Sequence, residues 1–187
     1  MTGIGTVLAD DPSLTLRTDE LDLGEFARHV DPARLAQPLR VIVDSRLRTP
    51  AHARVLAAPG SVLITVSDVP GTDLPGGRDN VAWRAFPGVA GRVDLAAVLA
   101  ALAERQVNEV LLEAGAALSG AMLQAGLIDE LVIYVAPKLL GDRGRALFEL
   151  PSALGLAAAV PLTIGELRAV GDDWRITARI RTADEEH

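Results

Sequence analysis

The sequence predicts an α/β fold, with a mainly parallel sheet flanked by helices and an antiparallel hairpin at its C-terminal end. Two observations carry that expectation. Short apolar runs alternate with helix-period stripes along most of the chain, the pattern of strands joined by helical crossovers. The last stretch alternates residue by residue between apolar and polar, as a strand with one wet face does.

Taken in order, Leu39–Val43 and Ser61–Val66 read as strands, the first running into Asp44-Ser45 and the second into Ser67-Asp68. From Asp94 the period changes. Leu95, Val98, Leu99 and Leu102 fall at i, i+3, i+4 and i+7, one stripe of a helix that the Asp94 side chain can cap. Val107–Leu112 then reads as a buried strand, and a second helix runs from about Ala116 to Ala125, stopped by Gly126. Leu131–Ala136 follows as another strand. Strand, helix and strand in this order predict parallel pairing with right-handed crossovers. Trp174, Ile176, Ala178 and Ile180 alternate with Arg175, Thr177, Arg179 and Arg181, and Gly171-Asp172-Asp173 separates them from Leu162–Val170 as a hairpin turn would. Val69–Asp79 and Gly141–Gly155 are loops rich in Gly and Pro, and Thr182–His187 is a charged tail.

The chain's 187 residues suit one core, so a single domain over 1–187 is expected. Apolar residues make up 49% and aromatics 3%, so that core must be built from Leu, Val, Ile and Ala. Cysteine is absent, which excludes disulfides and thiolate chemistry and fits a reducing compartment. His29, His52 and His187 are too scattered for a metal cluster, so no metal is expected. A net charge of −7 with no basic run argues against nucleic acid, since neutralising phosphates needs clustered Lys and Arg. No apolar stretch approaches the ~20 residues of a membrane span, and Met1 is not followed by a leader pattern. Together these predict a soluble cytoplasmic protein.

Three segments could carry chemistry. Thr6-Val7-Leu8-Ala9-Asp10-Asp11-Pro12-Ser13-Leu14-Thr15-Leu16-Arg17 concentrates carboxylates, hydroxyls and a terminal arginine. Pro12 disfavours a helical Asp11, and Ser13–Arg17 reads as extended, with Leu14 and Leu16 on one side and Arg17 among hydroxyls that could hold a phosphate. An ordinary solvated loop explains the same residues. Val43-Asp44-Ser45-Arg46-Leu47-Arg48-Thr49-Pro50 sets a hydroxyl and two guanidiniums just after a strand, suited to a 2′-phosphate or simply to water. Val110–Ala121 runs from an apolar strand through Glu113 into a helix start of small residues. There free N–H groups and the helix dipole suit a diphosphate, and close helix packing suits the same residues equally well. Gly3-Ile4-Gly5 supplies only two glycines of a dinucleotide fingerprint, which leaves a Rossmann assignment without support.

In order, T-V-L-A-D-D-P-S-L-T-L-R, R-V-I-V-D-S-R-L-R-T-P, V-L-L-E-A-G-A-A-L-S-G-A-M-L-Q-A-G-L-I-D-E-L and Y-V-A-P-K-L-L-G closely resemble the reductase domain of the bacterial bifunctional riboflavin-biosynthesis deaminase/reductase. The resemblance covers Thr2 to about Val170. It implies a dihydrofolate-reductase-like fold and NADPH-dependent reduction of 5-amino-6-(5-phosphoribosylamino)uracil to the ribitylamino product. Residue by residue, it implies cofactor-binding positions at Thr6, Asp10, Ser45, Gly115, Ala116, Ala117, Leu118, Ser119, Gly120 and Ala121, and substrate-binding positions at Leu14, Arg17 and Glu113. Asp10 is the candidate for assisting proton movement. Association through the reductase domain, as a homodimer, is implied as well.

The family pattern also holds a strand-helix-strand segment, with a lysine on its first strand, ahead of the matched positions. Before that lies a zinc deaminase domain, and neither has a counterpart in residues 1–187. A truncated reductase domain is therefore expected, with turnover depending on the missing segment. Two other readings stay open: a reductase of another pteridine- or pyrimidine-like compound, and a non-catalytic cofactor-binding or dimerisation fragment.

Overall fold

The structure, a computed structural model, describes residues 1–18, 35–69, 71, 77–142, 144–150 and 159–181. His29, Arg143 and the charged tail 182–187, with His187, lie outside the described residues, as do parts of both Gly/Pro-rich loops. The chain divides into two units, Met1–Gly115 and Ala116–His187.

In the first unit, β1 (Thr2–Gly3), β2 (Arg40–Val43), β3 (Val62–Val66) and β4 (Val81–Ala85) form a parallel sheet in the order β1-β2-β3-β4. Register places Thr2 opposite Ile42, Ile42 opposite Ile64, and Ile64 opposite Trp83. Every residue of β3 is buried, as expected of a central parallel strand covered on both faces. Because side chains alternate, Ile42 and Ile64 enter one core while Val41 and Leu63 enter another.

The first core is closed by Ile4 and Val7 of α1 (Ile4–Asp10) and by Val55 and Leu56 of α2 (Arg54–Ala57). The second is closed by Val98, Ala101 and Leu102 of α3 (Leu95–Glu104). Each fully buried aliphatic side chain contributes roughly 1.5–3 kcal/mol. The Asp94 carboxylate accepts from the Ala97 N–H at 3.0 Å, which is the cap expected from the sequence.

Two buried polar side chains organise the turns around β2. Asp44, fully buried just past the strand, accepts from both the N–H and the hydroxyl of Thr49, at 2.7 and 2.8 Å. At the other end Arg40, 2% exposed, donates to the Ala58 and Gly60 carbonyls at 2.9 and 2.7 Å. Burial pushes the Arg40 guanidinium below its usual pKa.

Two segments at the edges of this parallel sheet differ from the sequence reading. β4 carries no clear apolar pattern, because only Val81 is buried and Ala82 and Arg84 are exposed at the sheet's edge. Val107–Leu112, expected as a buried strand, forms none. Its neighbour β1 spans only two residues, so the pairing amounts to Met1 N–H donating to Leu111 O and Glu113 N–H donating to Met1 O, without a ladder.

The second unit contains α4 (Ala116–Gln124), β5 (Glu130–Val135), β6 (Leu162–Val170) and β7 (Asp173–Ile180). Its sheet has the order β5-β7-β6 and is antiparallel throughout. The hairpin β6–β7 turns at Gly171, whose φ of +59° suits glycine, and a bulge lies between Ile164 and Glu166. β5 corrects an expectation, since it pairs antiparallel with β7 instead of joining a parallel crossover. Its apolar run buries alternate residues only, Leu131 and Ile133 being half-buried between exposed neighbours, as befits a one-faced antiparallel strand.

Gly120 sits where α4 meets the backbone of Glu149, and a Cβ there would overlap the Glu149 carbonyl oxygen. The same contact is closed by Glu149 N–H donating to Ala116 O at 2.9 Å.

Asp44→Ala strands the buried Thr49 N–H and hydroxyl, and the expected loss is about 1–3 kcal/mol in urea unfolding at unchanged m-value. Gly120→Ala is expected to lower the thermal midpoint by forcing α4 away from Glu149, against the gain in helix propensity of about 1 kcal/mol that alanine would bring at an open position.

Candidate functional site

β1 leads directly into α1, whose first residue follows an extended Gly3. Thr6 to Asp10 is therefore helical, where the sequence had suggested a loop. The helix ends at Asp11, in the left-handed region at φ 42°, with its N–H donating to Val7 O. Leu14 is left-handed as well, at φ 50°, so Ser13–Arg17 is a bent loop instead of an extended run. Pro12 accounts for the break after α1, while Gln37 brackets Leu16 by accepting from its N–H and donating to its carbonyl.

The Asp11 carboxylate accepts from the Arg54 N–H at 2.8 Å, tying this loop to the start of α2. Four residues cannot hold a helix alone. Here Asp11 anchors one end of α2, the Arg40–Ala58 hydrogen bond anchors the other, and fully buried Val55 and Leu56 hold its inner face.

Residues 111–115 run beside β1 and the first turn of α1. Besides the two Met1 backbone bonds, the Thr2 hydroxyl donates to Glu113 O at 2.7 Å and the Gly115 N–H donates to the Thr6 hydroxyl at 3.2 Å. Burial pushes the Met1 amine below its usual pKa, and the Glu113 carboxylate partly opposes that.

These ties shape an open cavity of about 500 Å³ lined by Pro12, Ser13, Leu14, Thr15, Arg17, Arg54 and Glu113. All three positions expected to bind substrate, Leu14, Arg17 and Glu113, meet in it. Two guanidiniums, two hydroxyls and one carboxylate give the cavity groups for an anion and for an N–H donor.

Of the expected cofactor positions, Thr6 and Gly115 are hydrogen-bonded to each other. Asp10 is exposed at the last turn of α1 and does not line the cavity. Ser45 is half-buried in the turn after β2, where its carbonyl accepts from the N–H and hydroxyl of Ser67. In the second unit, Ala116, Ala117, Leu118, Ser119, Gly120 and Ala121 form the first six residues of α4, whose first turn has no acidic side chain. Arg46, Arg48 and His52 are exposed. Among the described residues no group of three or more His, Cys, Asp or Glu could hold a metal ion, and no helix is long and apolar enough to cross a membrane.

The sequence reading placed Asp11 in a polar segment without a role and passed over Arg54. Asp11 had a signal, since a residue before proline is barred from continuing the helix and its carboxylate is free to bind elsewhere. Arg54 had none beyond its residue type.

Asp11→Ala removes the carboxylate from the Arg54 N–H and places alanine in a left-handed conformation, with an expected cost of about 1–3 kcal/mol measured by denaturant unfolding. Asp11→Asn tolerates that conformation and can still accept, so it is expected to recover much of the loss.

The sequence profile of the RibD C-terminal domain matches residues 1–176. The riboflavin biosynthesis protein RibD of Escherichia coli is 41% identical over 175 residues, covering 92% of this chain and 46% of that protein. A 2,5-diamino-6-ribosylamino-4(3H)-pyrimidinone 5′-phosphate reductase of Methanothermobacter thermautotrophicus is 37% identical over 89% of this chain and 74% of its own length. Among solved structures, Acinetobacter baumannii RibD superposes with a TM-score of 0.77 at 33% identity, covering 96% of this chain and 46% of that one. The chain thus spans about half the length of the RibD proteins it matches. The fold is the dihydrofolate-reductase-like α/β fold of those reductase domains. Profile, relatives and fold agree, and the chain belongs to the RibD C-terminal domain family.

Proposed function

We propose that this chain is an NADPH-dependent oxidoreductase of riboflavin biosynthesis, reducing 5-amino-6-(5-phosphoribosylamino)uracil to 5-amino-6-(5-phosphoribitylamino)uracil. The observation that carries the reading is the convergence of Leu14, Arg17 and Glu113 on one cavity. Arg17 suits the sugar phosphate, Glu113 accepts from the N–H groups of a pyrimidine, and Leu14 supplies an apolar wall.

The donor set fits a dinucleotide. The start of α4 presents backbone N–H groups among small side chains with no carboxylate in its first turn, which suits a diphosphate. Thr6, Asp10, Ser45 and Gly115–Ala121 are the residues assigned to NADPH. When bound, the cofactor supplies a hydride. The chain's part is then to hold the opened sugar at the cavity beside the cofactor, while Asp10, outside the cavity lining at the last turn of α1, is the carboxylate proposed to assist a proton.

The profile match runs unbroken across both units, which supports reading the chain as one reductase domain. A cytoplasmic homodimer belongs to the same proposal. Exposed apolar side chains on β5, β6 and β7, among them Tyr134, Leu167 and Trp174, are compatible with an interface between copies.

The archaeal relative's name favours one second reading, in which the substrate ring is a 2,5-diaminopyrimidinone. NADPH oxidation at 340 nm with each phosphoribosyl substrate separates the two. The proposal expects turnover of the uracil compound, with NADH a poor replacement. Arg17→Ala is expected to raise KM by about ten- to a hundredfold by removing a charge-assisted contact. Asp10→Asn is expected to lower kcat, and undiminished turnover would remove Asp10 from its proton role.

A further inference from the structure

We infer that the Arg54 side chain is the second cation of a phosphomonoester subsite, closing with Arg17 on the 5′-phosphate of a sugar-phosphate substrate. The inference rests on the substrate-cavity reading above and adds a specificity-determining residue to it.

Arg54 lines the same cavity as Arg17, Ser13 and Thr15. Arg54 is exposed, and among the described residues its guanidinium has no hydrogen-bond or ion-pair partner. The carboxylate nearest in the hydrogen-bond network, that of Asp11, accepts the Arg54 backbone N–H and not the side chain. The guanidinium's base is fixed, because α2 is anchored at both ends and its neighbours Val55 and Leu56 are fully buried.

A phosphomonoester carries about −1.5 to −2 charges at pH 7, a match for two guanidiniums and too much for one. Ser13 and Thr15, hydrogen-bonded to each other at 3.3 Å, place hydroxyl groups in the same wall. Glu113 repels an anion, so the one acidic lining residue leaves the phosphate to the arginines and itself takes N–H donors.

The 2′-phosphate of the cofactor shares this chemistry. The substrate phosphate is favoured because Arg54 lines the cavity with Leu14, Arg17 and Glu113, whereas Thr6, Asp10 and Ser45 do not line it.

Isothermal titration of the 187-residue chain with ribose 5-phosphate and with adenosine 2′,5′-bisphosphate tests the assignment. Arg54→Gln keeps the backbone N–H that Asp11 needs. It is expected to weaken ribose 5-phosphate by about tenfold or more, with a reduced salt dependence, and to leave the bisphosphate unchanged. Arg54→Lys should fall between, and Arg105→Ala, an exposed arginine beyond α3, should match the wild type. Circular dichroism melts check that each variant is folded. Wild-type affinity for ribose 5-phosphate in Arg54→Gln, no binding by the wild type, or a loss confined to the bisphosphate would each overturn the subsite. Binding that depends on Arg54 without any NADPH oxidation would sink the reductase reading and keep the subsite. Turnover with an unchanged KM in Arg54→Gln would do the reverse.

Discussion

The pocket depends on a short set of hydrogen bonds between residues more than a hundred positions apart. Glu113 can face the Pro12–Arg17 loop because residues 111–115 are laced to Met1, Thr2 and Thr6. Two of the four ties use hydroxyls, so the pairing continues past the point where β1 stops and α1 begins. Thr2 is fully buried, and its O–H has the Glu113 carbonyl as partner in place of water. Substituting Thr2 by valine would keep the volume and leave that carbonyl without the bond.

A second constraint is the anchoring of α2. Burial of Val55 and Leu56 would be lost if a four-residue helix frayed, and Asp11 and Arg40 reach it from opposite ends. The aliphatic core and the polar site are thus one structure here. The apolar face of α2 fills the core that Ile42 and Ile64 line, and its first residue, Arg54, lines the cavity.

Much of this was legible in the sequence where a physical rule acts locally. Asp94 announced its helix because a carboxylate three residues before a free N–H is a cap, and the β6–β7 hairpin announced itself by period and by Gly171. Leu14, Arg17 and Glu113 were identified through ordered motifs, and their meeting in one cavity is a tertiary fact that spacing alone could not supply. β4 was hidden because an edge strand buries too little to leave a pattern. β5 was read into the wrong kind of sheet because a run of apolar residues does not say which faces it will bury. Asp11 acts through a backbone N–H, and Arg54 lines the cavity with a charge that has no partner among the described residues, and neither has a sequence period.

The loop that lines the cavity holds Asp11 and Leu14 in left-handed conformations. Glycine would suit both positions at lower conformational strain, of order 1 kcal/mol each. Yet glycine at 11 would have no carboxylate for Arg54, and glycine at 14 would have no side chain to pack on the core or to wall the pocket. Relaxing this loop with glycine would therefore exchange backbone strain for a lost anchor at 11 and lost packing at 14, so the cavity rim offers a stability search no easy gain at either position.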